Sequence, residues 1–149
     1  MKTMDRFNTL WFSIPVPDRW TIGREREWIF IRPCREPSVS IKIMPVRKEV
    51  PPATDVDVED YAKSSEPFIL ERQSVVCGKF TGVVLRVNRN GTVEDRLILK
   101  TGEYMLLGHL VGPDLDTLRK NAMEIIDGIR INNAEQFGGS SDNCSNSIP

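Results

Sequence analysis

One histidine, three cysteines and one run of carboxylates are the residues whose types could do chemistry here. His109 is the sole imidazole, and an imidazole oriented by a carboxylate can act as a general base. No motif places a serine, a cysteine or an acid around it. The simpler reading is a sheet residue whose ring tops a core and bonds a carboxylate. Cys77 stands before Gly78 at the end of an apolar run. A reactive thiol wants a helix N-terminus or a cationic neighbour, so Cys77 reads as a small buried residue. Cys34, Cys77 and Cys144 have no metal-like spacing, and a structural zinc site takes about four clustered ligands. Neither a metal nor a cofactor is expected. Gly78, Gly82 and Gly91 fall within and between strand-like runs, whereas a phosphate cradle needs a strand, the glycines and then a helix. Asp55, Asp57, Glu59 and Asp60 lack the central glycine and late glutamate of a calcium-binding loop. They read as an acidic helix start with a solvated face, or as an exposed acidic edge that meets a basic partner.

Trp11, Trp20 and Trp28 lie close together in sequence, with arginines nearby. Such a set can stack single-stranded bases, or it can fill a core. The formal net charge of −1 over 149 residues favours the core and implies no nucleic-acid partner. Charge is segregated, however. Residues 1–50 carry ten Lys/Arg against six Asp/Glu, and residues 51–66 carry one Lys against five Asp/Glu. The start has no apolar stretch of the signal-peptide kind, and no apolar run approaches the ~20 residues that span a bilayer. An odd cysteine count read as free thiols points to a reducing, cytoplasmic setting.

These residues must be held by something, and the clearest elements lie late in the chain. Residues 81–87, 93–99 and 104–111 alternate apolar and polar, separated by Asn90-Gly91 and Thr101-Gly102. Asn-Gly is a two-residue hairpin turn, which sets Val84 opposite Leu97, Val83 opposite Ile98 and Arg86 opposite Asp95. A second two-residue turn at Thr101-Gly102 sets Leu97 opposite Leu106 and puts His109 near Glu94. Both faces of this meander are apolar at the centre, so both must be covered. Leu115, Leu118, Ala122, Ile125, Ile126 and Ile129 repeat at helical spacing, after Asp114 as N-cap and with Gly128 as a left-handed C-terminal stop. That helix suits one face. A short helix over 55–66 and the N-terminal strands suit the other. Residues 10–14, 20–23, 28–33, 38–45 and 68–76 read as further strands.

Phe12-Ser13-Ile14-Pro15-Val16-Pro17-Asp18-Arg19-Trp20 resembles the opening of proteins with the PsbP-like fold, nearest to their DcrB-related bacterial branch. A strand ending at Pro45, the stretch Val58-Glu59-Asp60-Tyr61, a strand ending in Cys77-Gly78, a long meander and the closing Asp127-Gly128-Ile129-Arg130-Ile131 continue the resemblance over residues 10–131. It implies an α+β domain with a central antiparallel β-sheet covered on both faces, an αβα sandwich. It implies binding or assembly rather than catalysis, and it carries over no catalytic residue. The envelope lipoproteins of the wider fold have a lipobox, which this chain lacks.

The sequence thus predicts an extension over 1–9, one domain over 10–131 and a disordered tail over 132–149. The function expected is that of a non-enzymatic protein-binding or assembly factor, with Asp55, Asp57, Glu59, Asp60 and His109 as candidate binding residues. The alternatives are a small-molecule-binding or enzymatic domain with a pocket near His109, or a GTPase-release regulator working through the acidic edge. A deep pocket would favour the former; a flat charged surface favours a protein partner.

Overall fold

The computed structural model describes residues 5–132 and 141–142. In chain order the strands are β1 (Asp5–Asn8), β2 (Phe12–Val16), β3 (Trp20–Glu25), β4 (Trp28–Pro33) and β5 (Ser40–Arg47). Helix α1 (Asp55–Lys63) and a 3-10 turn (Glu66–Phe68) lead to β6 (Ile69–Cys77), β7 (Phe80–Arg89), β8 (Thr92–Thr101) and β9 (Tyr104–Val111). Helix α2 (Leu115–Asp127), β10 (Arg130–Ile131) and β11 (Ser141–Asp142) follow. Eight strands form one antiparallel sheet in the order β11-β3-β4-β5-β9-β8-β7-β6, and a three-stranded sheet has the order β1-β2-β10. The fold is α+β, a sandwich of sheets with two helices.

The β7–β8 hairpin has the register its Asn-Gly turn demands. Val84 faces Leu97, Val83 faces Ile98 and Arg86 faces Asp95. Asn90 and Gly91 both take positive φ, as a type I′ turn requires. The next hairpin differs by two residues from the sequence reading. Thr101 pairs with Tyr104, so Gly102-Glu103 is the turn and Leu97 faces Gly108 rather than Leu106. A shift of two keeps every side chain on its face, because strand side chains alternate with period two. Phe80, Val84, Leu97, Leu99, Tyr104, Leu106 and Leu110 therefore still share one cluster, and Val83, Leu85, Val87, Ile98 and Met105 the other.

The first cluster lies under α2 and the small sheet, the second under α1. The N-terminal strands thus cover the α2 side, not the α1 side expected for them: Phe7, Phe12 and Ile14 join Leu118, Ala122 and Ile125 in one core. On the other side α1 packs over β7 and β8, and the face of β4 and β5 keeps half-buried and exposed side chains. Coverage of that face is partial, a second departure from the sequence reading. Within the stretch 1–9 expected as an extension, the described residues form a strand. β1 pairs with β2 along its length and buries Phe7 to 2%. Of the segment read as a disordered tail, Ser141 and Asp142 pair with β3 at Ile22 and Thr21, and residues 133–140 and 143–149 lie outside the described residues.

Helix α2 begins where Asp114 accepts a hydrogen bond from the Thr117 amide, 3.2 Å. It ends at Gly128, which is right-handed at φ −87° rather than left-handed as expected. The glycine is needed for a different reason: a Cβ there would lie 2.8 Å from Cγ of Pro15. The buried face of α2 carries Leu118, Ala122, Ile125 and Ile126. Replacing Ile125, 4% exposed, with aspartate would bury an unpaired charge. The expected cost is several kcal/mol against a total of about 5–15 kcal/mol. A thermal melt should show an unfolded or deeply destabilised domain; a melting temperature within two or three degrees of wild type would refute the packing.

Candidate functional site

The partly covered face gathers aromatic and cationic side chains around His109. Phe30 on β4 stands opposite Lys42 on β5, Lys42 opposite His109 on β9, and His109 opposite Arg96 on β8. Residues directly opposite in a ladder share a face, so these four form a row across four strands. Trp28 and Arg32 flank Phe30 on the same face. The Trp28 and His109 rings meet at 5.0 Å between centroids and 44° between planes. The Arg32 guanidinium sits 4.4 Å from the Phe30 ring centre, a cation–π contact. Tyr61 of α1 and Ser64, the residue that caps its C-terminus, close one side of a hollow of about 140 Å³ beside His109.

Arg96 anchors this hollow. Its side chain is 11% exposed. One terminal nitrogen donates to Ser65 Oγ at 2.6 Å and the other to Glu94 Oε1 at 3.2 Å. Its Nε is buried and unpaired, and so is Nε of Arg32. A buried donor without an acceptor costs about 1–3 kcal/mol.

His109 is not bonded to a carboxylate as the sequence suggested. The two-residue shift in register sets Arg96 opposite it, and Glu94 spends its oxygen on Arg96. Burial pushes the His109 pKa below the ordinary imidazole value; Glu94 pulls it up, while Arg96, Lys42 and Arg89 push it further down. The ring is therefore neutral near neutral pH. Among the described residues it makes no hydrogen bond, and Ser64 and Ser65 line the same hollow.

The acidic candidates sit elsewhere and are each paired within the chain. Asp57 closes a capping box: its carboxylate accepts from the Thr54 amide at 2.7 Å, and its own amide donates to Thr54 Oγ1 at 3.4 Å. It also accepts from Lys48 Nζ at 2.8 Å, and that bond first, then the Thr54 amide, holds its pKa below the usual carboxylate range. Glu59 pairs with Arg72, which lowers its pKa in the same way. Asp60 lies 3.8 Å from Lys63 and Asp55 3.5 Å from Lys100. What reads as an acidic edge in sequence is thus locally neutralised in space. α1 and its C-cap reach the hollow by Tyr61 and Ser64, so the structure does not bring the four carboxylates and His109 into one site.

Cys77 is a free, buried thiol that donates to the Met123 carbonyl at 2.9 Å. Burial first, then the Asp127 charge, raises its pKa, which makes it inert. Cys34, by contrast, is disulfide-bonded. The expectation of free thiols fails there, and with it the thiol argument for a reducing compartment. Cys144 lies outside the described residues. The three tryptophans form no single platform: Trp11 packs on Tyr104 and Trp20 borders the core on the α2 side, leaving Trp28 alone on the open face. Among the described residues no cluster of His, Cys, Asp or Glu could hold a metal ion, and no helix is long and apolar enough to cross a membrane.

The geometry defines an α+β domain with an aromatic and cationic patch on a half-covered antiparallel sheet. No family model matches the chain, and no curated protein matches it. Among solved structures, a protein from Bacteroides thetaiotaomicron VPI-5482 is similar, with a TM-score of 0.59 at 15% sequence identity. The match covers 82% of this chain and 45% of that one, so this chain spans under half of that protein's length. At this identity the likeness is one of fold.

Proposed function

We propose that this chain is a non-enzymatic binding domain for another protein, which seats on the sheet face of β4, β5, β9 and β8. The observation that carries the reading is the patch itself: Trp28, Phe30 and Met44 half-buried beside exposed Lys42, on a face that α1 covers only in part. The hollow beside His109 holds about 140 Å³. Sites that enclose small molecules run to roughly 300–1,000 Å³, so the rival of an enclosed ligand site has little room here. The PsbP-like, DcrB-related resemblance of the sequence, which implies binding or assembly rather than catalysis, supports the same reading. A GTPase-release role through the acidic edge loses support, because those carboxylates are paired internally.

Affinity capture from the native cell tests this, with wild type and folded Trp28→Ala run side by side and read by mass spectrometry. The expected result is a stoichiometric protein held by wild type and lost from the variant. A partner held equally by both, or no protein partner at all, overturns the reading.

A further inference from the structure

We propose that the partner meets this face with an acidic segment, a stretch of Asp and Glu side chains laid across β4, β5, β9 and β8. The inference rests on the protein-binding reading above and names the chemistry of the occupant. The charged groups facing His109 are Lys42, Arg89 and Arg96 against Glu94 alone. Arg32, Lys42 and Arg89 make no ion pair among the described residues. That contrasts with α1, where each carboxylate named above has its own cation. So a chain of net charge −1 keeps a surplus of positive charge on one open face. The surplus is built into the fold, because the row Lys42–His109–Arg96 is set by backbone register.

The guanidiniums of Arg32 and Arg96 on this face suit the same ligand chemistry, because carboxylate oxygens are natural acceptors for guanidinium. The hollow beside Arg96 lies among groups suited to a single side chain: Ser65 donates or accepts, and Trp28 offers an apolar wall. A nucleic-acid strand would meet the same cations, so oligothymidylate is the competing probe in the test.

The test is fluorescence anisotropy with three labelled probes: a glutamate-rich peptide, a lysine-rich peptide of equal length, and single-stranded oligothymidylate. Wild type is expected to bind the glutamate-rich peptide saturably, more weakly as salt rises, with negligible binding of the other two. Lys42→Glu, at an exposed position that should not disturb folding, is expected to weaken binding about tenfold. Arg32→Gln should weaken it less, and Asp60→Lys should leave it unchanged or slightly stronger. Equal affinity for the two peptides, no saturable binding of the glutamate-rich one, or preference for oligothymidylate overturns the proposal. Should Trp28→Ala lose the captured partner while the glutamate-rich peptide fails to bind, the acidic occupant falls and the protein-binding reading stands.

Discussion

Replacing Asp95 with alanine is expected to cost about 3–5 kcal/mol, the range for breaking a buried ion pair from one side. Asp95 is fully buried, on the strand face that α2 covers. Its two oxygens accept from Arg86 at 2.8 and 3.2 Å, and one also accepts from Arg119 Nε at 3.0 Å. Two guanidiniums, 21% and 16% exposed, converge on one carboxylate. Removing it leaves like charges facing each other in a poorly solvated place. Arg119 belongs to α2 and also reaches Gln73 of β6, so the cluster fastens the helix to three strands. In a domain of this size the loss amounts to ~10 °C or more in melting temperature. Asp116 provides the control. It accepts from the same Arg86 at 2.8 Å, but its side chain is 82% exposed. Asp116→Ala should cost less than about 1 kcal/mol, as exposed pairs do. Paired thermal and urea melts would check both, and equal small losses would show that Asp95 is not the centre of the cluster.

Gly82→Ala is the second change with a large expected effect. Gly82 sits in mid-β7 opposite Leu99 of β8. A Cβ built there meets the carbonyl oxygen of Ile98 and lies 2.9 Å from Cα of Leu99. Both are backbone atoms, so no rotamer change relieves the clash. The strands would have to part in the middle of the sheet, at about 3 kcal/mol or more. Urea unfolding should show a strongly lowered midpoint or an insoluble product. A midpoint near wild type would mean that the strands can separate there at little cost. The position was invisible in the sequence reading, where Gly82 was merely not part of a phosphate cradle. A glycine required by a neighbouring strand's backbone leaves no local signature.

The parts of the fold legible in the sequence are those fixed by neighbours along the chain. The Asn90-Gly91 turn set the β7–β8 register, and helical spacing from Leu115 onward set the buried face of α2. The Thr101-Gly102 reading failed by two because the turn residues themselves are poor guides: Gly102 takes positive φ with Glu103, not Thr101, as its loop companion. That small slip moved Arg96 in front of His109 and Glu94 away from it. The cationic row could not be read at all. It needs β5 placed beside β9, two strands some sixty residues apart along the chain, and no local pattern specifies that pairing. The acidic run was visible, but its counter-ions Lys48, Arg72 and Lys100 come from other elements. Cysteine count failed for the same reason: pairing at Cys34 depends on proximity in space, which spacing does not encode.

The three-stranded sheet has a consequence for how the chain is made. β2 lies between β1, which precedes it, and β10, which arrives more than a hundred residues later. Arg6 also donates to the Gly128 carbonyl at 2.6 Å, and Asn132 donates through its amide and side chain to Trp11 and Thr9. A ribosome delivers these partners in order, so β2 emerges with one edge vacant and keeps it vacant until residues 130–132 are synthesised. The core under α2 cannot close before then. Such long-range closure makes for slow folding, and Phe12 and Ile14 remain open to wrong partners until residues 130–132 arrive. This domain therefore completes its core only after residues 130–132 have emerged, and its yield in the cell is set by how well the early strands are shielded while they wait.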